Sequence, residues 1–542
     1  SSKKKSSKKS SKKSSKKSSK KKRKSSKKKS SKKSSKKSSK KSSKKSMNNL
    51  LKSFDKKLSK ELPKIKSRVK SRQKSRSNKK IDDTKPVKRY KYVKKPLKDC
   101  IKRSVLPLRD TQIKVVQFMD TNDGLLVVHG TGTGKTLTAV ATSQCYLDKN
   151  PDNRVVFIGP TSLLSNFKKE IKAYGDEVDI DNYEFYSFTT FYNREKAGNP
   201  VDVSNALLII DEVHNLRNPD ALKTNVIVAA SFDADKRLLL SATPFVNNLR
   251  DFIPLINIVY GKKIVGTRDE HDNGIVDEYL SDLATDFEES LAIVKYYLRD
   301  KVDVVNKKDP KNFPRRADHK IEIPMTPAYY QKYASIVQGL ETLGLIFANP
   351  NAYYNGYRRA VNQAGEGYFS AKIDKALPIL RKGKSIVYTN WIDFGLKPLT
   401  KVLEQKNISY RVFTGDTKVG DRQRIVNDFN NNKFETLIIT KAGGEGLDLK
   451  GVRSVVVMEP TWNDAGLQQI IGRAIRYKSH EHLPAPQRKV DVYYMIMTIP
   501  EGMDPITTEP SGDVLLYNII NKKIQLNVAI TSILEDMSIG GK

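Results

Sequence analysis

The stretch that decides the fold reads His129-Gly130-Thr131-Gly132-Thr133-Gly134-Lys135-Thr136. It follows an apolar run at 125–128 and precedes a helical pattern, so it is the turn between a strand and a helix. Its glycines let backbone N–H groups approach phosphate oxygens, while Lys135 neutralises charge and the Thr136 hydroxyl suits Mg²⁺. The strict pattern has a small residue where His129 stands. The stretch predicts a nucleoside triphosphate site with Mg²⁺ as cofactor.

Short β-branched runs alternate with helical stretches on both sides of this turn, as in parallel sheets with crossover helices. We predict one such α/β domain at 105–260, with strands at 125–128, 155–158, 207–210 and 238–240. We predict a second at 371–500, with strands at 385–388, 410–413, 437–439, 454–458 and 490–495. Residues 261–370 between them are predicted as a mostly helical insertion, and 501–542 as a C-terminal helical extension.

The basic charge is concentrated at the N-terminus. Residues 1–100 contain 45 of the 101 Lys+Arg and 5 of the 59 Asp+Glu, which is +40 of the net +42. Residues 1–46 repeat Ser-Ser-Lys-Lys, and we expect them to be disordered, either binding nucleic-acid phosphates or acting as a solubilising tail. Residues 47–104 are predicted as a basic linker whose apolar residues between Leu51 and Ile65 form an amphipathic helix. Met47, the first methionine, is an alternative start.

The composition narrows the class of protein. Two cysteines, Cys100 and Cys145, are too few for a disulfide framework or a four-ligand zinc site, which favours a reducing compartment. No apolar run reaches the length of a membrane span, and the N-terminus lacks the apolar stretch of a secretory signal. We therefore expect a soluble, intracellular protein.

Two further motifs complete a candidate ATPase site. The apolar run 207–210 ends in Asp211-Glu212-Val213-His214, where one acid can hold Mg²⁺ and the next can polarise the attacking water. Near the end of the second block, Gln469 precedes Arg473 and Arg476, two arginines on one helix face. They suit an arginine finger that stabilises charge in the transition state. Taken alone, they would be read as an exposed basic helix.

The ordered motifs resemble superfamily 2 helicases. To those above they add Leu108 to Gln112, Gly159 to Leu163, Ser241-Ala242-Thr243-Pro244 and the segment 436–452. The phrases 241–248 and 459–463 look like Swi/Snf-type translocases, and 470–480 is similar to motor ATPases of large DNA viruses, such as poxvirus nucleoside triphosphatase I and the small subunit of the early transcription factor. The resemblance implies two RecA-like parallel-sheet domains, a P-loop NTPase fold, that close on ATP.

The resemblance also implies a role for each motif residue. Gln112 would bind the adenine, Lys135 and Thr136 the triphosphate and Mg²⁺, Asp211 the metal, and Glu212 the water. His214, Ser241 and Thr243 would couple nucleotide state to nucleic acid. From the second domain, the nucleotide would be approached by Gly446, Asp448, Gln469, Arg473 and Arg476. Contacts to the nucleic-acid backbone would come from Thr161, Thr414 and Thr440, which are otherwise ordinary strand-end threonines.

Three functions compete at this point. The first is a helicase or translocase on DNA or RNA, of viral origin. The second is a transcription-assembly or termination factor that binds a viral RNA polymerase and remodels its complexes without unwinding. The third is a basic packaging protein with a vestigial motor, which the intact Lys135, Glu212 and Arg476 argue against. The expected location is the host cytoplasm, a viral factory or the virion. His480 and His482 are predicted to lie in a solvated loop.

Overall fold

The computed structural model describes twelve stretches of the chain, all of which belong to one unit, Asp55–Lys542. They are 98–175, 178, 180–245, 248–266, 278–279, 287–305, 312–343, 350–367, 369–440, 447–461, 464–503 and 510–540. The basic repeat 1–46, the predicted amphipathic helix at 51–65 and Gly446 lie outside them.

The first half of the described chain forms domain 1. Its helices and strands follow one another as α1 (Asp99–Lys102), α2 (Asp110–Thr121), β1 (Gly124–His129), α3 (Lys135–Lys149), β2 (Arg154–Gly159), α4 (Thr161–Lys172), β3 (Tyr183–Ser187), α5 (Phe188–Lys196), β4 (Ala206–Asp211), α6 (Leu222–Ala230), β5 (Lys236–Ser241), α7 (Phe252–Tyr260), β6 (Val265–Gly266), β7 (Glu278–Tyr279), α8 (Phe287–Leu298) and β8 (Val302–Val305).

Six of these strands form a parallel sheet in the order β3-β2-β4-β5-β1-β8. Strands β1 and β4 are buried along their whole length, which explains their continuous apolar sequence. The loops after the carboxyl ends of β1, β4 and β5 carry the motifs found in the sequence. Because parallel strands end at the same edge, those motifs converge on one side of domain 1.

The second half forms domain 2. Its elements are β9 (Arg315–Pro324), α9 (Pro327–Thr342), α10 (Pro350–Ala360), α11 (Lys372–Leu380), β10 (Ser385–Thr389), α12 (Lys397–Gln405), β11 (Tyr410–Phe413), α13 (Val419–Asn430), β12 (Thr436–Thr440), β13 (Ser454–Val457), α14 (Asp464–Ala474), β14 (Lys489–Thr498) and α15 (Gly512–Asp536). A second parallel sheet has the order β11-β12-β10-β13-β14-β9. The two sheets confirm the predicted α/β fold of two RecA-like domains.

The structure corrects the prediction for residues 261–370. This stretch contains helices, but it also supplies β8 to the sheet of domain 1 and β9 to the sheet of domain 2. Strand β8 is short, with four residues, and β9 alternates exposed and half-buried residues at the sheet edge. Neither has the continuous apolar run that identified the central strands, so hydropathy did not reveal them.

The last helix connects the two domains. It begins in domain 2, where the Gly512 backbone N–H donates to the Tyr333 hydroxyl at 3.1 Å. After it ends, the Ile539 backbone N–H donates to the Val302 carbonyl of β8 at 2.8 Å. We call residues 512–540 the C-terminal strap. The strap is a second chain connection between the two domains, and its last residues pack on β8 at the edge of the domain 1 sheet.

Cys100 of α1 and Cys145 of α3 form a disulfide, with their Cα atoms 5.1 Å apart. The low cysteine count predicted no disulfide framework, yet this single pair is bonded because α1 packs on α3. A separation of 45 residues gives no indication of that packing. In the part of the chain that the structure describes, no helix is long and apolar enough to cross a membrane.

Candidate nucleotide site

The phosphate loop joins β1 to α3 and contains two glycines in the left-handed backbone region. Gly132 has φ of 79° and Gly134 has φ of 91°, conformations that favour glycine strongly. Within the loop, the Thr133 hydroxyl donates to the Gly130 carbonyl at 2.7 Å. Helix α3 then begins at Lys135. The loop therefore lies between a buried strand and a helix N-terminus, the strand-to-helix context that the sequence predicted.

Gln112 contacts the end of the phosphate loop that is next to helix α3. Its side-chain amide donates to the Gly134 carbonyl at 3.0 Å, and its carbonyl accepts from the Arg109 backbone N–H at 2.9 Å. The side chain is only 2% exposed. A Cβ on Gly134 would lie 2.7 Å from the Gln112 amide nitrogen, so the contact also requires glycine. In this conformation, Gln112 supports the loop from behind.

Lys135 and the two acids form the charged centre of the site. The Lys135 ammonium donates to the His129 carbonyl at 3.0 Å. Asp211 ends β4, and one of its carboxylate oxygens accepts from the Glu212 backbone N–H at 2.8 Å. Both acids are buried. Burial, and then the charge of Glu212, raises the pKa of the Asp211 carboxyl despite the opposing charge of Lys135.

Glu212 has the opposite electrostatic balance. Burial would raise its pKa, but His214 contact and the charges of Lys135 and Arg473 outweigh burial and lower it. These groups favour the ionised form of Glu212, which is the form that a general base needs. The backbone of Glu212 has a left-handed φ of 51°, which turns the chain immediately after β4.

A short polar chain leads from Glu212 to the next motif. The His214 Nδ1 lies 3.3 Å from a Glu212 carboxylate oxygen and 3.2 Å from the Ser241 hydroxyl. The Ser241 hydroxyl in turn accepts from the Thr243 backbone N–H at 3.1 Å. The structure therefore brings the three predicted coupling residues together beside the candidate base.

Domain 2 faces the phosphate loop through α14 and the residues after it. A Cβ on Gly472 would lie 2.6 Å from the Thr131 hydroxyl, so the helix approaches the loop at van der Waals distance. A Cβ on Gly132 would lie 3.5 Å from the Arg476 Cα. Arg473, on the same helix, is close enough to lower the pKa of Glu212 across the interface. Residues more than 300 positions apart thus line one cleft.

Arg476 is engaged within domain 2. Its guanidinium donates to the Leu447 carbonyl at 3.1 Å and to the Asp448 carboxylate at 3.0 Å. The Asp448 side chain is 62% exposed, so this pair lies at the open side of the cleft. Gln469 is half-buried on α14. Gly446, predicted to approach the nucleotide, lies outside the described residues.

The threonines predicted to contact nucleic acid lie at the carboxyl edges of both sheets. Thr161 is exposed at the start of α4, directly after β2. Thr414 follows β11 and Thr440 ends the neighbouring β12, with Phe413 in register with Ile439. Thr440 is 6% exposed, which leaves its side chain little access in this conformation. The structure brings Thr414 and Thr440 to one edge of domain 2 and keeps Thr161 on domain 1.

Sequence motifs missed several residues at the cleft. The Arg109 guanidinium lies 4.3 Å from the ring centre of Tyr477, a cation–π contact between the domains. Phe313 lies 3.3 Å from the position of a Gly132 Cβ. A signal for the first contact existed, since Tyr477 follows Arg476 directly. Phe313 lies in a stretch predicted as helical insertion, so nothing pointed to it.

The prediction for His480 was wrong. It is 1% exposed, and its Nε2 lies 2.8 Å from the Val452 carbonyl and its Nδ1 2.9 Å from the Ser479 hydroxyl. Burial lowers the pKa of His480 and favours its neutral form. Local polarity suggested a solvated loop because the packing partner at Val452 is distant in sequence. His482 is exposed, as expected.

The donor groups fit a magnesium ion. Thr136 supplies a hydroxyl in the first turn of α3, and Asp211 supplies a buried carboxylate at the end of β4, where burial and the charge of Glu212 raise its pKa. Hard oxygen ligands of this kind, completed by phosphate oxygens and water, suit Mg²⁺. Among the described residues, no group of three or more His, Cys, Asp or Glu could hold a metal on its own.

Three protein-family profiles and several known proteins match this chain. The profile of the helicase conserved C-terminal domain matches 371–478, that of the SNF2-related domain 187–365, and that of the type III restriction enzyme res subunit 95–246. A putative ATP-dependent RNA helicase of Acanthamoeba polyphaga mimivirus is 31% identical over 80% of this chain and 97% of its own length. Nucleoside triphosphatase I of Choristoneura biennis entomopoxvirus is 24% identical over 69% of this chain and 70% of its own.

Among solved structures, the SWI2/SNF2 ATPase core of Sulfolobus solfataricus in complex with dsDNA covers 73% of this chain and 89% of its own, with 18% identity and a TM-score of 0.32. The fold and the site define a two-domain P-loop ATPase. The chain belongs to the superfamily 2 helicases, in their Snf2-like branch with relatives in large DNA viruses. Members of this family are ATP-hydrolysing enzymes, and the resemblance predicted from the motifs is confirmed.

Proposed function

We propose that this protein is an ATP-driven translocase that moves along nucleic acid. The observation that carries the proposal is the contact of α14 with the phosphate loop, where Gly472 meets Thr131. ATP bound at the loop would lie between the two domains and favour their closure. Hydrolysis would remove the bridging phosphate and favour opening of the cleft. Each turnover would therefore change the distance between the nucleic-acid contact site on domain 1 and that on domain 2.

The catalytic roles follow from the positions of the charges. Lys135 would leave the His129 carbonyl to neutralise the triphosphate, and Glu212 would take a proton from the attacking water. Mg²⁺, held by Thr136 and Asp211, would neutralise charge on the β- and γ-phosphates. Arg473 and Arg476 would stabilise charge that develops in the transition state, with Gln469 beside them. His214, Ser241 and Thr243 would report the state of the γ-phosphate to the rest of domain 1.

Contacts to nucleic acid would come from the carboxyl edges of both sheets, where Thr161, Thr414 and Thr440 lie. Hydroxyls and backbone N–H groups bind phosphates rather than base edges, so binding would be independent of sequence. The name of the mimivirus relative, a putative RNA helicase, supports a nucleic-acid track. The basic N-terminal segment would add affinity that depends on salt.

A second function shares the same ATPase. The resemblance of residues 470–480 to motor ATPases of large DNA viruses, among them the small subunit of the early transcription factor, favours an enzyme of a viral transcription apparatus. Its partner would be a polymerase or transcription factor, and its place the viral factory or the virion. The match to an entomopoxvirus nucleoside triphosphatase supports the viral ATPase part of this second function. In that case ATP hydrolysis would remodel a complex on duplex nucleic acid without separating strands.

One assay tests the proposal and separates the two functions. ATPase rates of the full chain are measured with single- and double-stranded DNA and RNA, and with none, using Lys135→Ala as the inactive reference. We expect at least one nucleic acid to stimulate hydrolysis and Lys135→Ala to abolish it. Strand displacement by the same preparation supports unwinding, whereas stimulation by duplex without displacement supports remodelling. ATPase activity that no nucleic acid stimulates would contradict a translocase.

A further inference from the structure

A buried carboxylate lies directly behind the phosphate loop. Asp303, in the middle of β8, has a side chain that is 0% exposed. It accepts a hydrogen bond from His129 Nε2 at 2.7 Å and another from the Ser538 hydroxyl at 3.1 Å. The Lys114 ammonium also pairs with it. Since an ionised carboxylate can only accept, each of these three groups must donate to it.

The three donors come from three separate parts of the molecule. His129 is the first residue of the phosphate loop. Lys114 lies on α2, the helix that begins two residues before Gln112. Ser538 lies in the C-terminal strap, where it forms a parallel bridge with Val302. Asp303 is therefore the shared partner of the loop, of the helix that supports the loop, and of the strap from domain 2.

The position of the loop depends on this cluster. His129 is in register with Val305 of β8, and the Gly130 backbone N–H donates to the Val305 carbonyl at 3.0 Å. The His129 carbonyl accepts from the Lys135 ammonium. Movement of His129 would therefore shift both the first loop glycine and the resting position of the phosphate-binding lysine.

The cluster also explains the departure from the phosphate-loop pattern. A small residue is usual where His129 stands, and the imidazole here is 1% exposed and aims at Asp303. Burial lowers the pKa of His129, while Asp303 opposes that shift. Burial likewise raises the pKa of Asp303, but the bond from His129 and the charges of His129 and Lys114 outweigh it. The hydrogen bond between the His129 imidazole and the Asp303 carboxylate satisfies both groups.

The strap reaches this cluster through its last residues. The Val304 backbone N–H donates to the Ser538 hydroxyl at 3.0 Å, and Lys114 donates to the Ile539 carbonyl at 3.0 Å. The Asp300 backbone N–H donates to the Met537 carbonyl at 3.0 Å. Through these contacts, the end of the strap is linked to the phosphate loop by only two side chains, those of Asp303 and His129.

We propose that Asp303 is a positioning residue for ATP binding, which acts through His129 on the phosphate loop, and that Ser538 of the C-terminal strap completes its site. The inference rests on ATP binding at this loop. It deepens the proposed function because it ties the geometry of the loop to a segment that connects the two domains. Because its side chain is fully buried, Asp303 itself would touch neither ATP nor the reacting water.

The first test compares Asp303→Ala and His129→Ala with the wild-type chain. We expect the KM for ATP to rise roughly tenfold, the scale of one lost charge-assisted hydrogen bond, while kcat at saturating ATP changes less than about twofold. A purely structural role would lower kcat through the loss of folded protein and leave KM unchanged. That result, or a wild-type KM in both folded variants, would overturn the proposal.

A rescue variant and a matched control sharpen the test. His129→Gln keeps an N–H donor at a similar distance from the backbone, so its KM should lie near that of the wild type. Asp120→Asn removes a carboxylate of domain 1 that pairs with Lys98 at 2.7 Å, remote from the loop, and should leave KM unchanged. A KM for His129→Gln as high as that of His129→Ala would contradict the role of the hydrogen bond.

Ser538→Ala tests the strap and remains informative if Asp303→Ala does not fold. We expect a smaller rise in KM than for Asp303→Ala, and no further rise in the double variant, because both act through one site. Ser231→Ala, which removes a buried hydroxyl that donates to the Val228 carbonyl at 2.6 Å, is the control. Ser538→Ala at wild-type KM would exclude the strap. If Lys135→Ala retained ATP binding, the proposed site itself would fail, independently of Asp303.

Discussion

The two halves of the ATP cleft differ in how their charged residues are held. In domain 1, Gln112, Glu212 and His214 are buried and make contacts within their own domain. In domain 2, Arg476 is held by Asp448, whose side chain is mostly exposed. An ion pair in solvent contributes little to stability, so it exchanges easily for a phosphate. We therefore propose that the first half is already formed without ATP and that ATP binding would complete the second.

This difference assigns separate tasks to the two halves. Under the proposed function, the domain 1 half would bind ATP and hold the base, because its groups need no rearrangement other than the release of Lys135. The domain 2 half would sense whether the cleft is closed, because Arg476 would exchange Asp448 for the nucleotide. Changes in either half should consequently affect different kinetic quantities.

The largest effect is expected for Arg476→Ala. An arginine finger contributes roughly 10³–10⁵ in rate in other phosphoryl-transfer systems. We expect kcat to fall on this scale while ATP affinity, measured by equilibrium binding, changes far less. Arg453→Ala removes an equal charge from domain 2, where Arg453 donates to the Gln487 carbonyl, and serves as control. Normal ATP turnover by Arg476→Ala with nucleic acid present would contradict the arginine-finger role and leave Arg476 as an ordinary basic surface residue.

A somewhat smaller loss is expected for Glu212→Gln. The amide fills the same space but cannot accept a proton, and general-base catalysis contributes roughly 10²–10⁴ in rate. The variant should bind ATP at least as well as the wild type, because it removes a negative charge beside the triphosphate. Glu184→Gln, on strand β3 of the same domain, should retain full activity. If Glu212→Gln hydrolysed ATP normally, the base would have to be a different group.

The sequence predicted the contiguous motifs of the cleft better than the contacts between distant segments, for a physical reason. Gly130 to Thr136 and Asp211 to His214 are contiguous, and each motif is placed by the buried strand before it. The contacts around Asp303 and Tyr477 join segments that are far apart in sequence. Pairing of that kind depends on packing, which hydropathy and motif spacing do not record. Strands β8 and β9 were missed for a different reason, since neither has the continuous apolar run that identified the central strands.

The smallest effect on hydrolysis is expected from deleting residues 1–46, and it tests whether the two halves of the cleft are sufficient. The deletion removes 25 Lys+Arg and no acid. If those charges bind phosphates, nucleic-acid affinity at low salt should fall, and the plot of log K against log salt should become flatter, since its slope is about −0.9 per phosphate neutralised on duplex DNA.

Because every residue assigned to the cleft lies beyond position 100, kcat at saturating nucleic acid should remain unchanged after this deletion. The measurement requires titration to saturation at several salt concentrations, so that weaker binding is not mistaken for slower turnover. Replacing the 25 basic residues by Ser at constant length separates charge from chain length. Loss of stimulated ATPase activity at saturation would mean that the basic segment takes part in closure, and that the cleft has a third component besides its two halves.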